Sequence, residues 1–120
     1  MVQKRMWMLL TAALLGTVAL SACSSGPAAP EELTVTASEF EFDPAAITLK
    51  IGEPVVAKIT NTGALQHTFT IPDLDVDVET PVGQTVTVEF TPAQSGTFEL
   101  LCTIPGHKEA GMIGTVSVAP

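Results

Sequence analysis

The chain has 120 residues, with five basic and thirteen acidic side chains and a formal net charge of −8. Such an acidic chain is a poor partner for the phosphates of nucleic acid and for electrostatic docking to anionic lipid. The charge suits a soluble surface or docking to a basic protein partner.

Residues 1–22 have the pattern of a secretory signal peptide. Lys4 and Arg5 precede an uncharged and mostly apolar run of fifteen residues, 6–20. This run is shorter than the roughly 20 apolar residues that a membrane-spanning helix needs. The tetrapeptide LSAC, which ends at Cys23, resembles a bacterial lipobox, and this resemblance implies cleavage before Cys23 and lipid attachment to its sulfur. An ordinary signal peptide followed by a chance cysteine is the alternative.

Lipid attachment at Cys23 would also decide the state of the second cysteine. Cys23 and Cys102 could form a disulfide on paper, but an acylated Cys23 leaves Cys102 as a single thiol outside the cytoplasm. An unpaired thiol is easily oxidised there, so a bound metal would explain its presence. We therefore expect an extracytoplasmic protein, lipid-anchored at the periplasmic or cell-surface face of a membrane.

The mature chain is predicted to contain a short tether and one domain. Residues 23–32, which are the acylated cysteine and a small, polar, proline-containing segment, are typical of a flexible tether. Residues 33–120 then form one small domain with a single core. Loss of the two basic signal residues leaves three lysines against thirteen acidic residues, a net charge of −10.

Short sets of alternating apolar residues predict an all-β domain. Each set keeps one parity, as a half-buried strand does, and Gly, Pro, Asn and Thr separate the sets. The predicted strands fall within residues 33–37, 47–51, 55–59, 67–71, 74–78, 86–90, 98–102 and 112–118. About eight short strands in a domain of this size are typical of a β-sandwich or a small barrel.

An acidic run, DLDVDVE, covers residues 73–79. Its strict alternation with Leu74, Val76 and Val78 predicts a strand with one solvated acidic face. The order of residues differs from that of a calcium-binding EF-hand loop, so we favour the solvated face over a calcium site. Docking of these acids to a basic partner is a weaker hypothesis.

Strand parity predicts that three of four candidate metal ligands face the interior of the sandwich. His67, Cys102 and Met112 each share the parity of the core residues in their own strand, so their side chains should face the interior. His107 lies midway between Cys102 and Met112, with the spacing C-x4-H-x4-M. If the two strands that flank this loop are neighbours, all four side chains can converge.

Two imidazoles, a thiolate and a thioether together indicate copper. A trigonal His2Cys site with a weak axial Met is typical of a blue-copper electron-transfer centre, whereas structural zinc favours four strong tetrahedral ligands. Each residue alone would be explained more simply as part of the core or the surface. The mature domain's single cysteine, two histidines and single methionine all fall in this set, however, and predict one copper ion held by His67, Cys102, His107 and Met112.

The same residues carry a resemblance to a known family. The segments CTIPGHKEAGMIG, residues 102–114, and NTGALQHTF, residues 61–69, resemble the cupredoxins, the small blue copper proteins that include plastocyanin, azurin and auracyanin. The resemblance covers residues 33–120 and implies a Greek-key β-sandwich, the four copper ligands named above and one-electron transfer. The spacing from Cys102 to His107 is similar to that of azurin and auracyanin, and the spacing from His107 to Met112 to that of auracyanin.

The resemblance also implies roles for residues beside the ligands. Thr68 stands where several family members have an asparagine that ties the two ligand loops together, and its hydroxyl is expected to replace that link. The backbone N–H groups of Thr68 and Ile104 are expected to donate to the Cys102 sulfur and to tune the potential.

A docking surface is implied as well. In the resembling family, apolar residues surround the exposed edge of the second histidine ligand, where partners dock. Here His107 would be the electron port, within a patch formed by Ala64, Leu65, Ile104 and Pro105.

Three functions are compatible with a copper site, and the residues favour the first. It is a monomeric electron carrier between redox proteins, which is not an enzyme. The second is a copper-binding or delivery protein, for which several methionines or open ligands would be expected. The third is a copper enzyme, such as a nitrite reductase or multicopper oxidase, which needs more histidines than the two in this chain.

Overall fold

The computed structural model describes residues 26, 27 and 29–120. The predicted signal peptide, residues 1–22, and the predicted lipidation site Cys23 lie outside the described residues. Within the part of the chain that is described, no helix has the length and apolar character needed to cross a membrane.

The all-β prediction is confirmed, with nine strands and one 3-10 turn among the described residues. The strands are β1 (Glu31–Ser38), β2 (Glu41–Asp43), β3 (Ala46–Lys50), β4 (Val55–Asn61), β5 (His67–Ile71), β6 (Val76–Thr80), β7 (Thr85–Phe90), β8 (Gly96–Leu101) and β9 (Ile113–Ala119). The 3-10 turn (Pro72–Leu74) lies between β5 and β6. β1 begins at Glu31, within the predicted tether.

The strands form two sheets. One has the order β2-β1-β4-β7 and the other the order β3-β9-β8-β5-β6. β1 pairs in parallel with β4, and β3 with β9, so strands from distant parts of the chain are neighbours. β8 and β9 are antiparallel, and Leu101 stands opposite Ile113. By contrast, β5 and β8 share a single register pair, Thr70 opposite Leu101.

One hydrophobic core lies between the two sheets. Alternate residues of each strand face it, as along β4, where Val55, Ala57 and Ile59 are at most 1% exposed. Phe42 of one sheet meets Phe69 of the other edge to face, with ring centroids 5.9 Å apart. The core continues to the ends of β5, β8 and β9, and it therefore fixes the backbone from which three of the four predicted ligands project.

The strand that the sequence did not predict is β2. Ser38 stands opposite Glu41, so a two-residue turn, Glu39 and Phe40, joins β2 to β1. Two-residue hairpin turns favour Gly, Asn or Asp where φ is positive, but here Phe40 adopts a φ of 61°. The turn therefore carried no sequence signal.

The predicted strand over residues 74–78 is partly wrong. Residues 72–74 form the 3-10 turn, and Asp75 ends it with a φ of 55°, so β6 begins only at Val76. Pro72 at the start of the turn has a fixed φ and no N–H for a sheet ladder, which favours the turn over a continuing strand. Asp77 and Glu79 do lie exposed on β6, whereas Asp73 and Asp75 belong to the turn.

Candidate metal centre

Three strand ends place predicted ligands at one end of the sandwich. His67 is the first residue of β5, Cys102 directly follows β8, and Met112 directly precedes β9. The exposed fraction is 0% for His67 and Met112 and 1% for Cys102. The parity of the strands thus predicted the inward direction of these three side chains correctly.

The donor atoms of His67, Cys102 and His107 converge. His67 Nδ1 lies 3.1 Å from His107 Nδ1, and His107 Nδ1 lies 3.5 Å from Cys102 Sγ. All three ligand atoms lie within 4.8 Å of one another, and all three residues are buried. Two imidazole nitrogens and a thiolate at these separations can bind one ion, and this donor set suits copper.

The surroundings of His67 favour the neutral imidazole. Burial is the main cause that lowers the pKa of His67, and the neighbouring His107 lowers this pKa further. The Glu39 carboxylate raises it, but more weakly. His67 is therefore neutral near pH 7, which is the form in which an imidazole binds a metal.

The loop from Cys102 to Met112 is closed by its own backbone. The Cys102 N–H donates to the Met112 carbonyl at 3.2 Å, and the Met112 N–H donates to the His107 carbonyl at 3.0 Å. Gly106 and Gly111 have φ values of 86° and 109°, which glycine adopts without steric cost. These bonds and turns hold the loop's three predicted ligands in a fixed arrangement.

Thr68 contacts the sulfur and links β5 to the ligand loop. Its backbone N–H donates to Cys102 Sγ at 3.4 Å. Its hydroxyl oxygen accepts a hydrogen bond from the Thr103 N–H at 2.8 Å and lies 3.1 Å from Thr70 Oγ1. The Thr70 hydroxyl is also 2.8 Å from the Asp77 carboxylate. Thr68 thus provides a side-chain link between the two ligand segments.

A family model described as a cupredoxin-like domain matches residues 9–115. The chain belongs to this cupredoxin-like family. This cupredoxin is similar to the copper-resistant cuproprotein CopI of Rubrivivax gelatinosus, with 34% identity, and the match covers 78% of this chain and 70% of CopI.

Solved structures show the same fold. An auracyanin from Roseiflexus castenholzii has a TM-score of 0.68 at 23% identity and covers 78% of this chain and 100% of its own. Auracyanin A from Chloroflexus aurantiacus has a TM-score of 0.65 at 22% identity and covers 76% and 100%. A blue copper oxidase from Nitrosomonas europaea has a TM-score of 0.69 at 20% identity and covers 77% of this chain but 39% of its own.

In this cupredoxin, the His67, Cys102 and His107 group therefore fits a single copper ion. The fourth predicted ligand, Met112, has a fully buried side chain and is bonded through its backbone to Cys102 and His107. Its role as a weak axial donor stays a prediction.

Three residues around the cupredoxin site escaped the sequence prediction. Asn61 Nδ2 donates to the Leu65 carbonyl at 2.8 Å and so holds the loop before His67. The Phe40 ring lies edge-on to the His107 imidazole, with centroids 5.2 Å apart. The Glu39 carboxylate accepts a hydrogen bond from the Leu65 N–H, in the loop before His67. Asn61 lies among the polar residues that separate two predicted strands, but that pattern did not predict its hydrogen bonds. Nothing in the sequence indicated the contacts of Glu39 and Phe40.

His107 is the predicted ligand nearest the surface, with 9% of its area exposed. Of the residues predicted to form a docking patch, Leu65 is 45% exposed, Ala64 and Pro105 are exposed, and Ile104 is half-buried. The Ile104 carbonyl accepts a hydrogen bond from the His107 N–H at 3.1 Å, which fixes the backbone beside this imidazole.

Proposed function

We propose that this cupredoxin is a one-electron carrier that passes electrons between redox proteins outside the cytoplasm. The observation that carries the proposal is the closed donor set: three ligand atoms within 4.8 Å, with His107 as the one member of the set whose exposure reaches 9%. A bound copper ion would supply the Cu(I)/Cu(II) couple.

The protein's contribution to electron transfer is rigidity. The ligands are held by strand ends, by the backbone bonds of the ligand loop and by the Thr68 link. Because these supports do not depend on the charge of an ion, the same ligand geometry serves both oxidation states. Little rearrangement then opposes the transfer of an electron.

The test is the visible spectrum of residues 26–120 loaded with Cu(II), before and after a mild reductant. We expect a strong thiolate-to-copper band that disappears on reduction and returns on reoxidation, with the copper retained throughout. The Cys102→Ser variant should bind copper without this band. A wild-type protein that shows no such band would contradict the proposal.

Copper delivery is the second candidate, because the relative CopI is described as a copper-resistant cuproprotein. A delivery protein must release its ion, so a Cu(I) chelator would remove copper from it rapidly after reduction. The burial of His67, Cys102 and Met112 favours retention over release. Fast loss of copper to the chelator, faster than electron transfer to a partner, would favour delivery.

We also propose that partners dock over His107. The exposed Leu65 and the neighbouring Ala64, Ile104 and Pro105 supply apolar area at this end of the domain, while the net charge favours encounters with basic partners.

The docking proposal predicts that Leu65→Lys slows electron transfer to a basic cytochrome c several-fold without changing the copper band, because it removes apolar area and repels the partner at the contact. The matched control is Ile51→Lys, which adds the same charge at a side chain 40% exposed in the turn between β3 and β4. Stopped-flow spectroscopy measures both rates, and equal rates in the two variants would argue against docking at Leu65.

For location, we propose that a lipid on Cys23 anchors the protein as a monomer at the outer face of a membrane. The support is the lipobox-like LSAC sequence and the short polar segment that follows it. The anchor would keep the carrier near membrane-bound partners.

A further inference from the structure

Glu39 lies against the loop that precedes His67. Its Oε1 accepts hydrogen bonds from the backbone N–H groups of Ala64, at 2.5 Å, and Leu65, at 3.1 Å. A Cβ atom at Gly63 would collide with the Glu39 carboxylate, so the glycine at this position is what allows the close approach. Glu39 therefore clamps the loop from the turn between β1 and β2.

The same carboxylate faces one of the copper ligands. Glu39 Oε1 lies 4.0 Å from His67 Nε2. That nitrogen is buried and has no hydrogen-bond partner among the described residues. Because His67 Nδ1 points toward His107, Nε2 is the nitrogen that remains for a second partner when Nδ1 binds a metal.

Within residues 29–120, no lysine forms an ion pair with Glu39. In the described part of the chain, the three lysines form ion pairs elsewhere, Lys50 with Glu53, Lys58 with Glu32 and Lys108 with Glu99. Among the described residues, no lysine therefore offsets the field of the Glu39 carboxylate at the His67 imidazole.

We propose that Glu39 is a positioning residue of the copper centre, which fixes the loop before His67 and favours Cu(II) over Cu(I) through its negative charge. The proposal rests on the proposed function, since it assigns Glu39 a role in setting that site's reduction potential. At 4.0 Å the Glu39 oxygen is beyond hydrogen-bond length from His67 Nε2, so it acts on the ring through its charge. A negative charge beside a metal-bound imidazole stabilises the more positive oxidation state.

The test compares Glu39→Gln with Glu41→Gln by redox titration of the blue band. The glutamine oxygen can still accept the two backbone hydrogen bonds, so Glu39→Gln removes the charge and largely preserves the shape. Glu41 is exposed on β2 and gives the same change of net charge. We expect Glu39→Gln to weaken the preference for Cu(II) about tenfold, which for a one-electron couple raises the potential by about 59 mV, and Glu41→Gln to change it far less.

A second variant and a second readout separate the clamp from the charge. Glu39→Asp keeps the charge but shortens the side chain, so the amide protons of Ala64 and Leu65 should exchange faster in the metal-free protein. Those protons should remain protected in Glu39→Gln.

Each outcome has one meaning. Equal potentials in Glu39→Gln, Glu41→Gln and the wild type would overturn the role of Glu39 while leaving the electron-carrier function intact. Unchanged amide exchange in Glu39→Asp would overturn the clamp. A wild-type protein without a reversible blue band would instead overturn the proposed function itself.

Discussion

Thr68 acts on the copper site through two different groups. Its backbone N–H reaches the Cys102 sulfur, while its hydroxyl binds the backbone of Thr103. The contact with the sulfur is made by the backbone and is kept as long as β5 keeps its position. The hydrogen bond to Thr103 requires the hydroxyl of the side chain. A substitution can therefore remove the link between segments and leave the N–H in place.

The Thr68→Val variant should destabilise the metal-free protein by about 1 kcal/mol, because the Thr103 N–H loses its acceptor while the shape of the side chain is kept. Urea denaturation measures this change. Thr68→Ser, which retains the hydroxyl, should recover most of the loss. Thr60→Val is the matched control, since Thr60 bonds to Thr85 at the surface, and we expect a change within about 0.5 kcal/mol. An equal loss in both valine variants would show that the Thr68 link adds nothing.

At the scale of residues, the sequence identifies side chains whose chemistry is rare in this chain. One cysteine and two histidines in the mature domain leave little choice of ligands, and strand parity indicates where Cys102 and His67 point. Glu39 and Phe40 could not be found in this way. Their contacts with the loop before His67 and with His107 arise only when β1, β2 and the ligand loops are brought together in three dimensions.

At the scale of elements, β9 depends on a close backbone approach at Gly114. A Cβ atom at this position would lie 2.5 Å from the Ala45 carbonyl oxygen and 3.1 Å from Leu100 Cδ2. The next residue, Thr115, donates its N–H to the same carbonyl at 2.8 Å. Glycine therefore allows β9 to pair with β3 directly after the ligand loop.

Gly114→Ala should destabilise the metal-free protein by roughly 1–3 kcal/mol, because the added methyl group must displace backbone rather than a flexible side chain. The measurement is again urea denaturation. Gly26→Ala serves as the control, since a Cβ atom there meets nothing within 4 Å. A Gly114→Ala protein as stable as this control would mean that β9 can shift without cost.

Alternation predicted most strands, because a strand with one buried face repeats every two residues. It failed where backbone geometry overrode the pattern. Leu74 keeps the parity of Val76 but follows Pro72 in a 3-10 turn, and the short strand β2 was not predicted at all. Alternation also contains no information on which strands are neighbours, so the parallel pairs β1–β4 and β3–β9 could not be derived.

At the scale of the whole molecule, the domain places its predicted copper ligands at one end of the sandwich. A lipid at Cys23 would attach the chain to a membrane at a point that precedes the domain in sequence. The proposed lipid anchor leads to a prediction for the location of the protein in the cell. Expressed in a bacterial host with its full sequence, the wild type should fractionate with membranes, and Cys23→Ser should be released into the soluble fraction.

Cys102→Ser is the control for this prediction, because it changes the other cysteine and should remain with the membranes. Immunoblotting of the two fractions measures the distribution. If Cys23→Ser also stays with the membranes, the attachment does not depend on a lipid at this residue.

Because β5 and β8 share a single register pair, a bound copper ion would also have a structural role. His67 belongs to β5, and Cys102 directly follows β8. An ion bound to both residues would cross-link the two neighbouring strands that share the fewest register pairs in this sheet. We expect the metal-free protein to open first between β5 and β8. Copper binding should hold these two strands together, since their backbones pair at a single position.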